Sequence, residues 1–336
     1  MLSIARDVIS VGRGLRPITF VPYADAARVP NIIVDGAAAP GTVLTLSHWP
    51  RSGTPATLRA DTSAEIVFNY LDTPSLHVDV DAASNNHFDE DGLIGLFTLV
   101  EPVIASRWRD RLVDAVTAGD FGVYRSRDAA RIAFVLGTYA DQATSPLPLS
   151  TFAGSYAEVA ANLYRELLPI VPQVLAHVDD YRQLWEADDR ELAASEAALD
   201  GGIVMIEPHD DLDLAIVRVP DGTAVPHPTA LHTRTRHSRL IVVRGGSVEL
   251  RYRYEGWVQF ASRAIAPRVD LTSLANELSA EEQQGRWVFD GVDAITPRLY
   301  FDGAATALAA DHVVSRMEHG LRTGAAAWNP YGAGLL

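Results

Sequence analysis

Between residues 31 and 100, short apolar runs alternate with segments of helical periodicity, and this alternation is what most restricts the fold. Asn31–Val34 and Thr42–Leu46 both read as largely buried strands. Each stops at a polar cluster: Asp35-Gly36 after the first, Ser47-His48-Trp49-Pro50 after the second. Asp61-Thr62-Ser63 then caps a helix from Ala64 to Leu71, whose apolar residues fall at helical spacing. Leu76–Val80 alternates like a strand, and Gly92–Val100 reads as a buried helix. Strands alternating with helices predict an α/β domain around a mainly parallel sheet.

From Arg107 to about Leu199 the pattern is almost wholly helical, with helices expected over Arg111–Ala118, Asp128–Tyr139, Tyr156–Leu168 and Val171–Leu199. Gly201-Gly202 marks a hinge. Beyond it strands are expected over Ile203–Ile206, Leu214–Val219, Arg239–Val243, Ser247–Tyr254 and Trp257–Ser262, followed by a helix over Val269–Leu278. The 336 residues therefore divide into a metal-binding α/β domain with its helical segment, residues 1–200, and a smaller α/β domain, residues 203–330.

Composition excludes several chemistries. There is no cysteine, which rules out disulfides, thiolate metal sites and cysteine nucleophiles, and points to a cytoplasmic protein. All 28 basic residues are arginine, so neither Schiff-base chemistry nor the lysine of a phosphate-binding P-loop is available. A net charge of −15 argues against extensive nucleic-acid binding. No run approaches the ~18 apolar residues of a membrane span, and Met1–Gly14 lacks the apolar core of a signal peptide. A homodimer is compatible with this composition.

The densest group of metal ligands is His87-Phe88-Asp89-Glu90-Asp91-Gly92, between a strand and a helix. In an extended turn, residues two apart point to one side, so His87, Asp89 and Asp91 converge while Glu90 faces away. Such a concentration of negative charge calls for a cation, and carboxylates with an imidazole suit Mn²⁺ or Mg²⁺. Gly92 lets the chain turn into the helix.

This segment resembles the first motif of the DHH phosphoesterase superfamily, in which the positions of Asp89 and Asp91 bind two metals. Asn31–Gly36 is similar to the family's second motif, a strand ending in a metal-bridging aspartate, here Asp35. Ser47-His48-Trp49 stands where Asp-His-His is expected, which leaves His48 as a ligand and replaces the substrate-facing histidine by Trp49. Asp61–Val67 resembles the helix that follows in many members. The order is altered, since the first motif here comes after the others, so the resemblance implies a divergent, circularly permuted arrangement.

Asp120, between Gly119 and Phe121, and Asp141, in a segment resembling the Leu-Gly-Thr-x-Ala-Asp of RecJ-like members, compete for the remaining ligand position; Asp120 is preferred because its glycine neighbours permit close approach. The C-terminal half resembles the accessory domain that follows DHH domains. Trp257–Arg263 and Arg268–Ala275 match its Ser-x-Arg strand and the helix after it, with Thr272 in a serine's place. The glycine-rich turn that holds substrate phosphate is replaced by Leu278–Gln283. Phosphate recognition is therefore expected from Arg253, Arg263 and Arg268, with Arg251 and Arg253 on one sheet face. His227, His232 and His237, and the His209–Asp213 acidic turn, read as ordinary polar positions.

Two functions follow. The first is a phosphoesterase using two Mn²⁺ or Mg²⁺ ions, held by Asp35, His48, Asp89, Asp91 and Asp120, on a small phosphorylated or nucleotide substrate. His87 serves as an outer ligand or proton carrier, and His48 shares in catalysis. The second is a catalytically inactive metal- or ligand-binding protein on the same scaffold.

Overall fold

The computed structural model describes residues 17–332 together with 334 and 335; Met1–Gly14 lies outside them. Four parallel strands make the first sheet: β1 (Thr19–Phe20), β2 (Asn31–Val34), β3 (Thr42–Leu46) and β4 (Ala82–Ser84), in the order β1-β4-β2-β3. All four residues of β2 are buried, as expected for a strand covered on both faces. A single turn, α1 (Tyr23–Ala26), follows β1; α2 (Ser63–Leu71) lies between β3 and β4, and α3 (Glu90–Val100) follows β4. Thr62 caps α2, its side chain accepting from Glu65 N–H. Gly95 lets α3 settle on the sheet: a Cβ there would lie 2.6 Å from Val34 Cγ1. Leu93, Phe97, Ile66 and Phe68 are fully buried in the core so formed, each contributing roughly 1.5–3 kcal/mol of transfer free energy.

A helical region follows: α4 (Pro102–Arg107), α5 (Arg109–Phe121), α6 (Arg127–Ala140), α7 (Tyr156–Leu167), α8 (Val171–Ala176) and α9 (Arg182–Asp200). The second sheet has six strands and is mixed. Its strands β5 (Met205–His209), β6 (Leu214–Val219), β7 (Arg239–Arg244), β8 (Ser247–Tyr252), β10 (Arg286–Phe289) and β11 (Arg298–Asp302) lie in the order β10-β11-β8-β7-β6-β5. Only β6 and β7 are parallel, joined through α10 (Pro228–Arg234). Between β8 and β10 come β9 (Arg268–Val269) and α11 (Thr272–Glu281); α12 (Ala310–Thr323), β12 (Ala326–Asn329) and β13 (Gly334–Leu335) follow β11. β9, β12 and β13 form a small third sheet. A separate core, including Leu214, Ile241, Leu250, Leu278, Trp287 and Met317, holds this half together. Among the described residues no helix is long and apolar enough to cross a membrane.

The α/β reading therefore stands, with local corrections. Leu76–Val80 is not a strand. The chain there is tied to the end of α2, where Val78 N–H donates to Tyr70 Oη and the His77 ring reaches Tyr70 O, and the sheet is joined only at β4. The long helix expected over Val171–Leu199 is broken at His177 (φ −140°, ψ 49°), and a 3₁₀ turn at Val178–Tyr181 separates α8 from α9. The helix expected from Val269 starts at Thr272, because Arg268 and Val269 pair with β12. Trp257–Ser262 is not a strand either: the amides of Trp257 and Val258 turn back to Tyr254 O, and three others go to the first half of the chain, Gln259 N–H to His48 O and those of Ala261 and Ser262 to Asp61 Oδ1.

Candidate metal centre

The strands of the first sheet set the site by where they end. β2 delivers Asp35, β3 delivers His48, and β4 leads through Asn85-Asn86 to His87, Asp89 and Asp91, all at the carboxyl edge of a parallel sheet. Asp35 itself sits at positive φ, 49°, a conformation aspartate tolerates better than most residues. Gly36 then lets the loop carrying Asn85 and Asn86 approach: a Cβ on it would lie 2.2 Å from Asn86 Oδ1.

The side chains converge. His48 Nε2 lies 3.4 Å from Asp35 Oδ1, 3.7 Å from Asp91 Oδ2 and 3.7 Å from Asp120 Oδ2. His87 Nε2 lies 3.3 Å from Asp35 Oδ2 and 2.8 Å from Asp89 Oδ2. Two triads result, Asp35–His48–Asp91 and Asp35–His87–Asp89, each with its ligand atoms within 4.8 Å of one another. Ligand atoms bonded at ~2.1 Å to one cation stand roughly 3–3.5 Å apart, so both triads need little movement to close on an ion. Asp35 belongs to both, presenting Oδ1 to one and Oδ2 to the other.

The surroundings orient these groups. His48 Nδ1–H donates to Asp61 O at 2.6 Å, which fixes the tautomer with the Nε2 lone pair turned to the cluster. Asp91 accepts from the N–H groups of Ser63 (2.6 Å) and Ala64 (2.7 Å) at the amino end of α2. Ser63 Oγ donates to Asp35 Oδ1 at 2.7 Å and accepts from His48 N–H at 3.1 Å, so its hydroxyl ties two of these residues together and its N–H holds the third, Asp91. Ser63→Ala is expected to keep the fold and weaken Mn²⁺ binding about 10- to 100-fold, as loss of an orienting partner does; calorimetric titration checks it, and unchanged affinity would mean that the ligands hold their places unaided.

The expected geometry of the His87–Gly92 segment is corrected in one respect. Asp89 and Asp91 do not alternate along an extended turn. Asp89 is the N-cap of α3, accepting from Gly92 N–H at 2.8 Å, and Asp91 lies in the helix's first turn. Gly92 is helical, and what it supplies is room: a Cβ would lie 2.3 Å from Asn85 Nδ2 and 2.5 Å from Tyr164 Oη. Glu90 does face away, against Gly119 and Gly137.

Without a cation the charge is poorly compensated. Burial, then the charges of Asp89 and Asp91, push the Asp35 carboxyl up to about 7. Burial and Asp89 push Asp91 to about 7 as well, and burial followed by the neighbouring carboxylates raises Asp120 well above its ordinary range. For His87 burial alone would lower the pKa, but the two carboxylates it faces push it up to about 11, and its positive charge lowers Asp89. Asp35 Oδ2 and Asp120 Oδ2 are buried with no hydrogen-bond partner. Four hard carboxylates, two imidazoles and orphaned oxygens fit divalent cations.

Asp120, near the end of α5, joins the cluster, whereas Asp141 is exposed and bonded to Ala143 N and Thr144 Oγ1. The proposed phosphate arginines are placed differently. Arg268 is buried and donates to the carbonyls of Val292, Ala294, Arg253 and Ile295. Arg253 is buried against Glu255 and donates to the carbonyls of Thr235, His237 and Phe121. These two guanidinium groups brace loops, and Arg263 lies over the Phe260 ring. Sequence reasoning missed Ser63 as a ligand clamp, and it missed Tyr254, whose hydroxyl comes 3.3 Å from His48 Nε2 out of the second half of the chain. A cavity of about 490 Å³, lined by Trp49, Asn86, His87, Asp89, Asp120 and Tyr254 among others, opens over the cluster.

Neither the curated proteins nor the solved structures searched contain a significant match to this chain. A family profile, described as "Family of unknown function (DUF6687)", matches residues 16–329, and the chain belongs to that family.

Proposed function

We propose that the protein is a phosphohydrolase dependent on two divalent cations, Mn²⁺ or Mg²⁺, acting on a small phosphorylated or nucleotide substrate. The observation that carries this reading is the Asp35 carboxylate, which turns one oxygen to each of two buried triads. A shared carboxylate between two cation sites is the arrangement that two-metal phosphoryl chemistry uses. The likeness of Asn31–Val100 to a permuted set of DHH motifs supports the same reading, since the residues it named as ligands are those that converge.

In this reading Asp35, His87 and Asp89 hold one ion, and Asp35, His48, Asp91 and Asp120 hold the other. When bound, such ions supply Lewis acidity and lower the pKa of water. The chain's own groups do the rest. Asp61 O keeps His48 in the ligating tautomer, and the N–H groups at the amino end of α2 hold Asp91 in place and offset part of the burial that raises its pKa. Tyr254 Oη, whose partner is the nitrogen that would bind the ion, is free to donate to a phosphoryl oxygen once His48 is engaged. Trp49, its ring 4.8 Å from that of His87, shields the outer side of the centre from water. His87 is better placed as a ligand than as the outer proton carrier, because the nitrogen turned to the two carboxylates is Nε2.

The test is hydrolysis of bis(p-nitrophenyl) phosphate with added Mn²⁺ by wild type and Asp91→Ala. The variant is expected to lose at least about 10³-fold in turnover, the rate equivalent of several kcal/mol of charge stabilisation. Equal turnover by the two proteins would remove this reading.

A further inference from the structure

The cleft does not end over the metal centre. Asp120, Tyr254 and Thr296 also wall a second cavity, of about 330 Å³, that reaches β8 and β11. In the antiparallel pairing of these strands Arg298 stands directly opposite Arg251, so both side chains leave the sheet on one face, and both line the cavity. Like charges placed directly opposite weaken a strand pair unless something offsets them. The local carboxylates hold only the inner edge of each guanidinium: Arg251 Nε donates to Glu249, and Arg298 Nε donates to Asp290 at 3.3 Å. Among the described residues the terminal amino groups make no hydrogen bond; Glu249 Oε2 lies 3.8 Å from Arg298 Nη1. Two forks with their inner edges fixed and their outer donors unused suit an anion with several oxygens. The cavity over the metal centre, by contrast, has no arginine in its wall.

We infer that Arg251 and Arg298 form an anion subsite, which takes a second phosphoryl group of the substrate, one that is not hydrolysed. The identity of that ligand as part of the substrate rests on the phosphohydrolase reading; the anion site itself does not. Arg251 and Pro228 are shared with a further cavity of about 550 Å³, so the path beyond the arginines stays open and the ligand is extended rather than compact.

The experiment is calorimetric titration of inorganic tripolyphosphate into the full-length chain, in chelator to remove divalent ions, at low ionic strength. Wild type is expected to bind, and Arg251→Gln and Arg298→Gln each to weaken binding at least about tenfold. Arg263→Gln, which lies outside the subsite, is expected to change it less than about twofold. Circular dichroism confirms that the arginine variants are folded, and Arg298→Lys, which keeps the charge but loses the fork, is expected to fall between wild type and Arg298→Gln. No binding by wild type, or binding indifferent to both arginines, overturns the subsite. Arginine-dependent binding by a protein that hydrolyses no phosphoester with Mn²⁺ would keep the subsite and remove the hydrolase reading instead.

Discussion

Asp35→Asn is expected to abolish hydrolysis, by at least about 10³-fold, and to reduce bound Mn²⁺ from two ions per chain to one or none. An amide has the shape of the carboxylate but only one oxygen, and its NH₂ group would face one of the two triads. Whichever way the amide turns, one site loses a ligand and gains a donor pointed at its cation. Neither site keeps the negative charge they shared. Turnover with saturating Mn²⁺, together with metal content after gel filtration, checks this outcome; two tightly bound ions in the variant would show that Asp35 does not bridge.

The same substitution is expected to raise the melting temperature of the metal-free protein. Asp35 is fully buried, and its carboxyl is pushed up to about 7 by burial and by Asp89 and Asp91, so at pH 8 its ionisation works against the fold. Asn at this position removes that repulsion and can still accept from Ser63 Oγ, which now bonds to Asp35 Oδ1. A residue whose loss stabilises the fold while removing activity is kept for its chemistry, the usual trade at a functional site.

The sheet and the candidate ligands were legible because both depend on short stretches of chain. Asn31–Val34 is buried throughout, and its continuous apolar run announces that without reference to its partners, whereas Thr42–Leu46 is the edge strand and is fully buried only at Thr45 and Leu46. Polar residues placed just past such runs, Asp35 and His48, are where a parallel sheet keeps its ligands. Asp89 and Asp91 were found through a geometry that does not hold: they meet because a helix starts between them, and two positions in its first turn serve as well as two alternate positions in a strand. Leu76–Val80 misled because its amides close turns and reach back to the Tyr70 hydroxyl, and Trp257–Ser262 because the amides of Gln259, Ala261 and Ser262 are satisfied by His48 O and Asp61 far away in the chain, which no local periodicity encodes. Arg253 and Arg268 misled for a similar reason, since composition cannot tell a guanidinium that is free to bind phosphate from one already spent on loop carbonyls. Tyr254 lies 206 residues from His48 in the chain, and nothing near it in the sequence marks the contact.

The two ions are expected to respond differently to pH, and the stabilisation they confer to grow as pH rises. Protons and cations compete for the same atoms. The site of His48, Asp91 and Asp35 loses affinity below about pH 7, where Asp35 and Asp91 take up protons, with a slope approaching two decades per pH unit. The site of His87, Asp89 and Asp35 must also displace the proton that its carboxylates hold on His87 up to about pH 11, so its affinity keeps rising, by about one decade per unit, above pH 7. The stability of the metal-free protein runs the other way. Asp35 and Asp91 have folded pKa values above the ordinary 3.8, so the folded chain holds protons that the unfolded chain has released, and stability declines as pH rises from about 4 to about 7. His87 is raised from 6.5, so its contribution is full below that pH and is lost progressively toward about 11. A cation replaces both the protons and the imidazolium, stabilising by mass action with about 4 kcal/mol at a thousandfold excess over Kd. The Mn²⁺-induced rise in melting temperature is therefore expected to be larger at pH 8 than at pH 6, and Asp35→Asn to abolish most of the difference. Thermal denaturation at the two pH values, with and without Mn²⁺, decides it: a rise independent of pH would mean that the ion binds away from these carboxylates.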